Sequence, residues 1–201
     1  MSVEVLYADR DLAVAVKPVG LDAQAAMPEA LANELGGTFY PVHRLDLNVG
    51  GVMVYARTKA AAAALSRLIQ EGAMVKCYVA MVHGAPPERG DWEDLLFKDA
   101  ARNKVFVVKR MRGGVKKARL AYERLREGER SLVFVRLYTG RSHQIRVQFA
   151  SRGFPLVGDH KYGARDEESA PMLFSCRITF PWKGEERRFE AYPPWAEEAR
   201  S

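Results

Sequence analysis

Apolar residues recur at every second position in several short stretches of the chain, and polar, glycine or proline residues separate these stretches. A period of two is typical of β-strands that bury one face. The pattern predicts strands at Val3–Tyr7, Leu12–Lys17, Lys76–His83, Val105–Val108, Ala118–Leu125, Ser131–Tyr138 and Cys176–Phe180, and a continuous apolar run predicts another at Val52–Ala56.

Three other segments have the spacing of helices. The clearest begins after Thr58, a residue suited to cap a helix N-terminus, and ends at Gly72. Shorter helices are predicted at Pro28–Leu35 and Arg141–Arg152. Because strands outnumber helices, we predict an α+β fold with a mixed, largely antiparallel sheet flanked by helices.

Length and composition place the chain among globular proteins. Its 201 residues, 48% of them hydrophobic, predict a single domain over residues 1–201. We find no N-terminal signal pattern, and no stretch approaches the roughly 18 uncharged apolar residues of a membrane span. Cys77 and Cys176 lie far apart in apolar segments, which favours buried, reduced thiols and a cytoplasmic location.

The positive charge is concentrated in one segment. The net charge is +6, and residues Arg102 to Arg126 contain ten Lys or Arg and one acid, Glu123. With Gly113-Gly114 as a turn, we interpret this segment as an exposed basic hairpin. Such a segment indicates either a face that binds a polyanion or a solvated surface loop.

An acidic residue in a turn is the first candidate for chemistry. Asp46 follows Tyr40-Pro41 and precedes Gly50-Gly51, which lead into the strand Val52–Ala56. A loop at the end of a buried strand can hold an acid rigidly and within reach of a ligand. The alternative is an aspartate that caps its own turn by accepting hydrogen bonds from backbone amides.

Separated segments of the chain carry the most specific signal. They are Lys17-Pro18-Val19-Gly20, His43-Arg44-Leu45-Asp46, Lys76–Gly84, Thr139–Val147, Gly153–Asp159 and Tyr162-Gly163. In this order they resemble the RluA-type pseudouridine synthases of ribosomal and transfer RNA. The resemblance implies the pseudouridine synthase catalytic fold. It also implies isomerisation of uridine to pseudouridine in RNA, with no cofactor and no metal. We expect no separate N-terminal RNA-binding module of the kind that some relatives carry, because none can fit before Val3.

The resemblance also assigns the catalytic roles. It implies that Asp46 is the catalytic aspartate, Tyr78 the tyrosine that stacks on the base, and Arg146 the arginine that pairs with the aspartate. A carboxylate can add covalently to the nucleotide or abstract a sugar proton, and a guanidinium favours its charged form. Arg146 lies between two apolar residues, so we expect it to face a ligand or a partner acid. Tyr78 could instead be a core aromatic on its strand.

Further RNA contacts are expected from basic residues of the matched segments and of the basic segment. These are His43, Arg44, Arg141, His143, Lys116 and Lys117. RNA is therefore the expected partner of a monomer that needs neither metal nor membrane. Two alternatives stay open: a catalytically silent RNA-binding module, and a nucleoside or glycoside hydrolase. The hydrolase usually needs a second positioned acid, and none accompanies Asp46 in the matched segments.

Two positions depart from the commoner family form. Val49-Gly50-Gly51 stands where relatives have Thr-Ser-Gly, so a hydroxyl that could steady the loop is lost. Leu173-Phe174-Ser175-Cys176 stands where relatives often carry Leu-His-Ala. We expect these changes to alter local contacts and leave the chemistry intact.

Overall fold

The structure is a computed structural model that describes residues 2–200. Met1 and Ser201, which the predicted domain includes, lie outside the described residues. The chain forms two compact units, Met1–Lys76 with Phe174–Pro193, and Cys77–Leu173 with Pro194–Ser201. The single-domain organisation stays a prediction.

The described residues form many strands and few helices. In chain order, the strands are β1 (Glu4–Ala8), β2 (Leu12–Lys17), β3 (Tyr40–Pro41), β4 (Gly50–Ala56), β5 (Val75–His83), β6 (Arg89–Asp99), β7 (Lys104–Val108), β8 (Val115–Arg126), β9 (Arg130–Leu137), β10 (Leu173–Trp182) and β11 (Glu185–Glu190). The helices are α1 (Ala26–Leu35), α2 (Lys59–Gln70) and α3 (Gln144–Ala150), with 3-10 helices at His160–Tyr162 and Pro194–Arg200.

The first unit is built on strands in the order β1-β2-β4-β10, with β3 paired to β4 and β11 paired to β10. These pairs are antiparallel except for β4 and β10, which run parallel. Every residue of β4 is buried, so this strand lies at the centre of the unit's core. Val54 and Leu65 bring β4 and α2 into the same apolar cluster.

Helix α2 forms as its sequence predicts. The Thr58 hydroxyl accepts a hydrogen bond from the Ala61 amide at 3.1 Å, which satisfies one of the amides that a helix start leaves unpaired. Leu65, which lies on the inner face of this helix, is fully buried. The predicted cap at Thr58 is confirmed, and the helix ends within two residues of Gly72.

The second unit contains strands in the order β5-β9-β8-β6-β7. The β6–β7, β6–β8 and β8–β9 pairs are antiparallel. Helix α3 packs on these strands through Val147, which contacts the cluster that contains Leu96 and Ala118. Beside it, the Phe149 ring meets the rings of Trp92 and Tyr122 at centroid distances of 4.7 and 5.0 Å.

The predicted hairpin of the basic segment is wrong. Its two strands, β7 and β8, do not pair with each other, because β6 lies between them and pairs with both. The apolar pattern does not reveal β6 because Asp94 occupies an inward position. There it accepts hydrogen bonds from Arg152 at 2.8 and 3.1 Å and from Gln148 at 2.7 Å, which compensate its burial.

Helix α3 is shorter than predicted. It spans Gln144–Ala150 instead of Arg141–Arg152, because His143 adopts a left-handed conformation with φ of 50° just before it. The predicted fold class is nevertheless confirmed. The described strands form a mixed, largely antiparallel arrangement with few helices, as expected for an α+β fold.

Gly51 is the backbone position on which the parallel β4–β10 pair depends. Its φ is +128°, and a Cβ there would lie 2.7 Å from the Ser175 Cα atom. We predict that Gly51→Ala lowers the free energy of unfolding by about 3 kcal/mol, because backbone atoms cannot move aside as a flexible side chain can. Urea denaturation measures this change.

Gly72→Ala is the matched control, since Gly72 has a φ of +73° and a Cβ there would meet nothing within 4 Å. We expect a loss of only about 1 kcal/mol there, from conformational strain alone. Equal losses for both variants would contradict the steric explanation.

Candidate active site and family

The candidate catalytic Asp46 lies in a tight turn of the first unit. The turn is closed by a hydrogen bond from the Val49 amide to the Asp46 carbonyl at 3.0 Å. Leu45 and Val49 are buried on either side, whereas Asp46 itself is half-buried. Two apolar anchors therefore fix the ends of a turn that leaves the carboxylate partly open to solvent.

His43 faces inward from the same loop. Its Nε2 atom accepts a hydrogen bond from the Val54 amide at 3.1 Å, so in the neutral ring the proton is on Nδ1. Burial, together with the charge of Lys76, lowers the pKa of His43 to about 3. The ring is therefore neutral at physiological pH and ties the loop to β4. Arg44, its neighbour, is exposed.

The two departures from the family pattern meet in the first unit. A Cβ on Gly50 would lie 3.3 Å from the ring of Phe174, closer than most such contacts. The Ser175 hydroxyl donates to the Val52 carbonyl at 3.1 Å, which adds a buried contact between β10 and β4. Phe174 therefore packs against the site of the missing serine side chain, so the two departures are sterically linked.

In the second unit, Arg146 is buried on α3 and held by an acid. Its Nε and Nη2 atoms donate to the two carboxylate oxygens of Asp159 at 2.7 and 2.8 Å. Asp159 is 1% exposed and Arg146 is 8% exposed. The expectation that Arg146 faces a partner acid is met by Asp159. A bidentate pair of this kind fixes the plane of the guanidinium.

Tyr162 connects this ion pair to the start of α3. Its ring lies 5.2 Å from the guanidinium carbon of Arg146. Its hydroxyl lies 2.8 Å from Nδ1 of His143 and accepts a hydrogen bond from the Val105 amide at 2.9 Å. The tyrosine therefore joins β7, the N-terminus of α3 and the buried arginine.

Asp166 holds the loop that carries Asp159. Both carboxylate oxygens of Asp166 accept from the Gly158 amide at 3.0 Å, and one lies 2.5 Å from His83 Nε2. Burial raises its pKa, but the hydrogen bonds from Gly158, His83 and Glu168 outweigh burial and lower it to about 2. The carboxylate is therefore charged at neutral pH and fixes the backbone of Gly158, the residue before Asp159.

The remaining predicted residues also lie in the second unit. Tyr78 is buried in β5, at 7% exposure. Arg141 is exposed, and its Nε atom donates to the Lys117 carbonyl at 2.9 Å. Lys116 and Lys117 are exposed at the start of β8. Arg141 therefore lies beside Lys117 of the basic segment, which is compatible with the predicted RNA contact.

Within the second unit, the structure brings together Arg146 and His143 through Tyr162. Sequence reasoning assigned no role to Tyr162 or Asp159, although both lie in matched segments. The signal in the sequence was that Asp159 is the single acid between Gly153 and Gly163. The proposed pairing of Asp46 with Arg146 stays a prediction.

Comparison with known proteins identifies the family. A family model described as RNA pseudouridylate synthase matches residues 11–151. An uncharacterized RNA pseudouridine synthase of Aquifex aeolicus is 32% identical over 96% of this chain and 70% of its own length. The chain belongs to the RNA pseudouridylate synthase family. It is of the RluA type, and the family's enzymes are isomerases.

Other relatives agree with this assignment. The ribosomal large subunit pseudouridine synthase D of Zymomonas mobilis is 32% identical over 86% of this chain, which spans 59% of that protein. Human RNA pseudouridylate synthase domain containing 1 matches the fold with a TM-score of 0.85 at 23% identity, covering 98% of this chain and 86% of that one. The likeness to this solved structure supports the predicted pseudouridine synthase fold.

Two features are absent from residues 2–200. None of the helices there has the length and apolar content needed to cross a membrane. Within the same residues, no group of three or more His, Cys, Asp or Glu is arranged to hold a metal ion. The absence of a metal or cofactor requirement stays a prediction.

The buried Arg146–Asp159 pair generates a stability prediction. We predict that Asp159→Asn lowers the free energy of unfolding by about 3 kcal/mol, because the buried guanidinium loses the negative charge of Asp159. Urea denaturation at neutral pH measures the change.

Asp91→Asn provides the matched control. Asp91 also binds an arginine through both oxygens, at 2.7 and 3.0 Å from Arg119, but both side chains are about half exposed. We expect little change there, because solvent screens exposed ion pairs. A small effect at Asp159, comparable to that at Asp91, would show that the buried pair does not stabilise the fold.

Proposed function

We propose that this protein isomerises uridine to pseudouridine in structured RNA and uses Asp46 as its catalytic carboxylate. The observation that carries the proposal is the half-buried Asp46 in a rigid turn within the family's His43-Arg44-Leu45-Asp46 motif. The substrate and the product are isomers, so the net reaction consumes neither an oxidant nor a reductant, and we propose that it needs no cofactor. The bond between N1 and C1′ breaks and the base turns. C5 then bonds to C1′ and loses its proton, while N1 gains a proton.

The carboxylate of Asp46 can serve this reaction in two ways. It can add covalently to the nucleotide and leave again, or it can abstract a proton from the sugar and return it. Both routes need an ionised carboxylate at a site that excludes bulk water. The anchors Leu45 and Val49 support this role because they restrict the motion of the turn.

We assign supporting roles to Arg146 and Tyr78. Arg146 favours the charged form of the catalytic aspartate, as the family resemblance implies. Its guanidinium plane is fixed by Asp159, which supports an orienting role. Tyr78 stacks on the uracil while the base is detached from the sugar, since an aromatic face holds a base without requiring one orientation.

We assign RNA contacts to the exposed basic residues. Arg44, Arg141, Lys116 and Lys117 are exposed and bind phosphates of the RNA. His143 and His43 are less exposed, so they support the loops beside these contacts. A uridine within folded RNA must leave its stack to reach Asp46, and contacts to the flipped base offset that cost.

The relatives indicate which class of RNA to test first. Because relatives include ribosomal large subunit pseudouridine synthases, we propose ribosomal RNA as the first substrate to test and transfer RNA as the second. We further propose a cytoplasmic monomer. Cys77 and Cys176 are both buried, which is compatible with a reducing compartment.

Replacement of the catalytic carboxylate tests the function directly. We predict that Asp46→Asn forms no detectable pseudouridine, because an amide can neither add to the nucleotide nor take up the proton. RNA affinity should stay within about threefold of the wild type, since Asp46 acts on the reaction rather than on binding. Carbodiimide mapping of pseudouridine in RNA and filter binding measure the two effects.

The control is Asp9→Asn, another turn aspartate of the same unit. Asp9 accepts hydrogen bonds from the Asp11 and Leu12 amides at 2.7 and 2.8 Å, and an asparagine oxygen can accept both. This variant should keep wild-type turnover. Isomerisation by Asp46→Asn would refute the assignment, and binding by an inactive wild type would favour the silent RNA-binding module.

Charge reversal tests the basic segment. We predict that Lys116→Glu combined with Lys117→Glu weakens RNA binding and makes its salt dependence shallower, by about one unit of log–log slope per lost phosphate contact. Binding is measured between low and moderate salt. The matched control reverses Lys59 and Arg67, which lie on α2 outside the basic segment. If both double variants bind alike, the segment does not contact RNA.

A further inference from the structure

An exposed tyrosine, Tyr138, directly follows β9 at the turn that leads into α3. It is 43% exposed, whereas Leu137 before it is buried. Two guanidiniums contact its ring, because the guanidinium carbon atoms of Arg119 and Arg136 lie 4.5 and 5.2 Å from the ring centroid. Single exposed apolar residues are common on protein surfaces, but a ring between two arginines forms an aromatic and cationic surface. This surface is open to a ligand.

The backbone at Tyr138 is held in place by hydrogen bonds. Its amide donates to the Arg119 carbonyl at 3.1 Å, and the Arg119 amide donates to the Thr139 hydroxyl at 2.8 Å. The same Arg119 carbonyl accepts from Nε2 of Gln144, the first residue of α3, at 3.0 Å. The end of β9, strand β8 and the start of α3 therefore meet at one carbonyl. A ligand that binds to the Tyr138 ring meets a preorganised surface, which lowers the entropic cost of binding.

The side chain of Arg119 is fixed independently of the ring. Its Nε and Nη2 atoms donate to the two carboxylate oxygens of Asp91 at 3.0 and 2.7 Å. A bidentate pair sets the plane of the guanidinium. Because Asp91 keeps Arg119 in place when the tyrosine ring is removed, a substitution of Tyr138 tests the ring alone.

The charges near Tyr138 favour an anionic ligand. Four cationic side chains lie in and beside the ends of β8 and β9, together with two acids. The cations are Lys117, Arg119, Arg136 and Arg141, and the acids are Asp91, which pairs with Arg119, and Glu93, which lies 3.9 Å from Lys117. An unpaired nucleotide carries a flat base next to a phosphate. It therefore fits an aromatic ring that is accompanied by an excess of cations.

We propose that Tyr138, together with Arg119 and Arg136, forms a stacking platform for the base of an unpaired nucleotide of the RNA, other than the uridine that is modified. This inference rests on the proposed function, since it takes RNA as the ligand. It adds that the substrate presents a second unpaired nucleotide besides its target. Every base has a face that can stack, so the platform selects single-stranded RNA rather than a particular sequence.

The first test measures the RNA affinity of ring variants. The probes are a stem–loop RNA with uridines in its loop and a blunt-ended duplex with the same stem. We expect Tyr138→Ala to bind the stem–loop about tenfold more weakly, the size of loss typical of one stacked base, and to bind the duplex like the wild type. Tyr138→Phe keeps the ring and should bind both RNAs like the wild type. Neither variant should change the salt dependence, because tyrosine carries no charge at neutral pH.

Leu125→Ala is the matched control. Leu125 lies on β8 and is 42% exposed, close to the 43% of Tyr138, but it has no ring. This variant should bind both RNAs like the wild type. Tyr138 and Leu125 are both exposed, so neither substitution should shift the midpoint of urea denaturation.

The second test needs neither a variant nor activity. A uridine of the loop is replaced by 5-iodouridine, which forms a crosslink on irradiation to an aromatic side chain that stacks on it. Mass spectrometry of the digested complex should find a crosslink at Tyr138. If Tyr138→Ala does not fold, this measurement on the wild type decides the question.

Three outcomes would overturn the inference. The first is a folded Tyr138→Ala protein that binds the stem–loop like the wild type, which would indicate that this surface faces solvent or a protein. The second is an equal loss of affinity for the duplex, which would indicate contact with the RNA backbone. The third is crosslinking without any product at Tyr138. A wild type that crosslinks through Tyr138 but forms no pseudouridine in any RNA would instead refute the proposed function and leave the platform in place.

Discussion

The buried ion pair between Arg146 and Asp159 constrains both helix α3 and the loop that carries Asp159. Arg146 is 8% exposed, and a guanidinium buried to this degree is strongly unfavourable without a charged partner. An acidic residue must therefore lie beside this arginine of α3. That residue is Asp159, which lies in the loop that follows α3. Since both carboxylate oxygens are used, the geometry of that loop and the orientation of the arginine are fixed together.

Other contacts of this loop follow from the same constraint. Asp166 accepts hydrogen bonds from Gly158 and lies against His83 of β5, so a second buried acid holds the backbone next to Asp159. Tyr162 then lies close enough to contact Arg146 and His143. Polar groups that would be unfavourable singly become stable as a connected set, because each buried donor or acceptor has a partner.

Sequence patterns predict the parts of this protein that local physics decides. The bounds of β2 and the Thr58 cap of α2 are correct because alternation and capping are short-range effects. Strand β6 was missed because Asp94 interrupts its apolar face, and its partners Gln148 and Arg152 lie more than fifty residues away. Asp159 was visible as an acid, but no local pattern shows which arginine it faces.

One contact between residues far apart in sequence, Gly50 and Phe174, links the two positions that depart from the family pattern. Gly50 and Phe174 stand where the resemblance predicts a serine and a histidine. The phenyl ring, however, lies 3.3 Å from where a Gly50 side chain would begin, so a serine there would require the ring to shift. The phenyl ring of Phe174 therefore occupies the space that a side chain at Gly50 would need, beside the start of β4. Because β4 begins directly after the Asp46 turn, the contact between Gly50 and Phe174 lies next to Val49, the buried anchor of that turn.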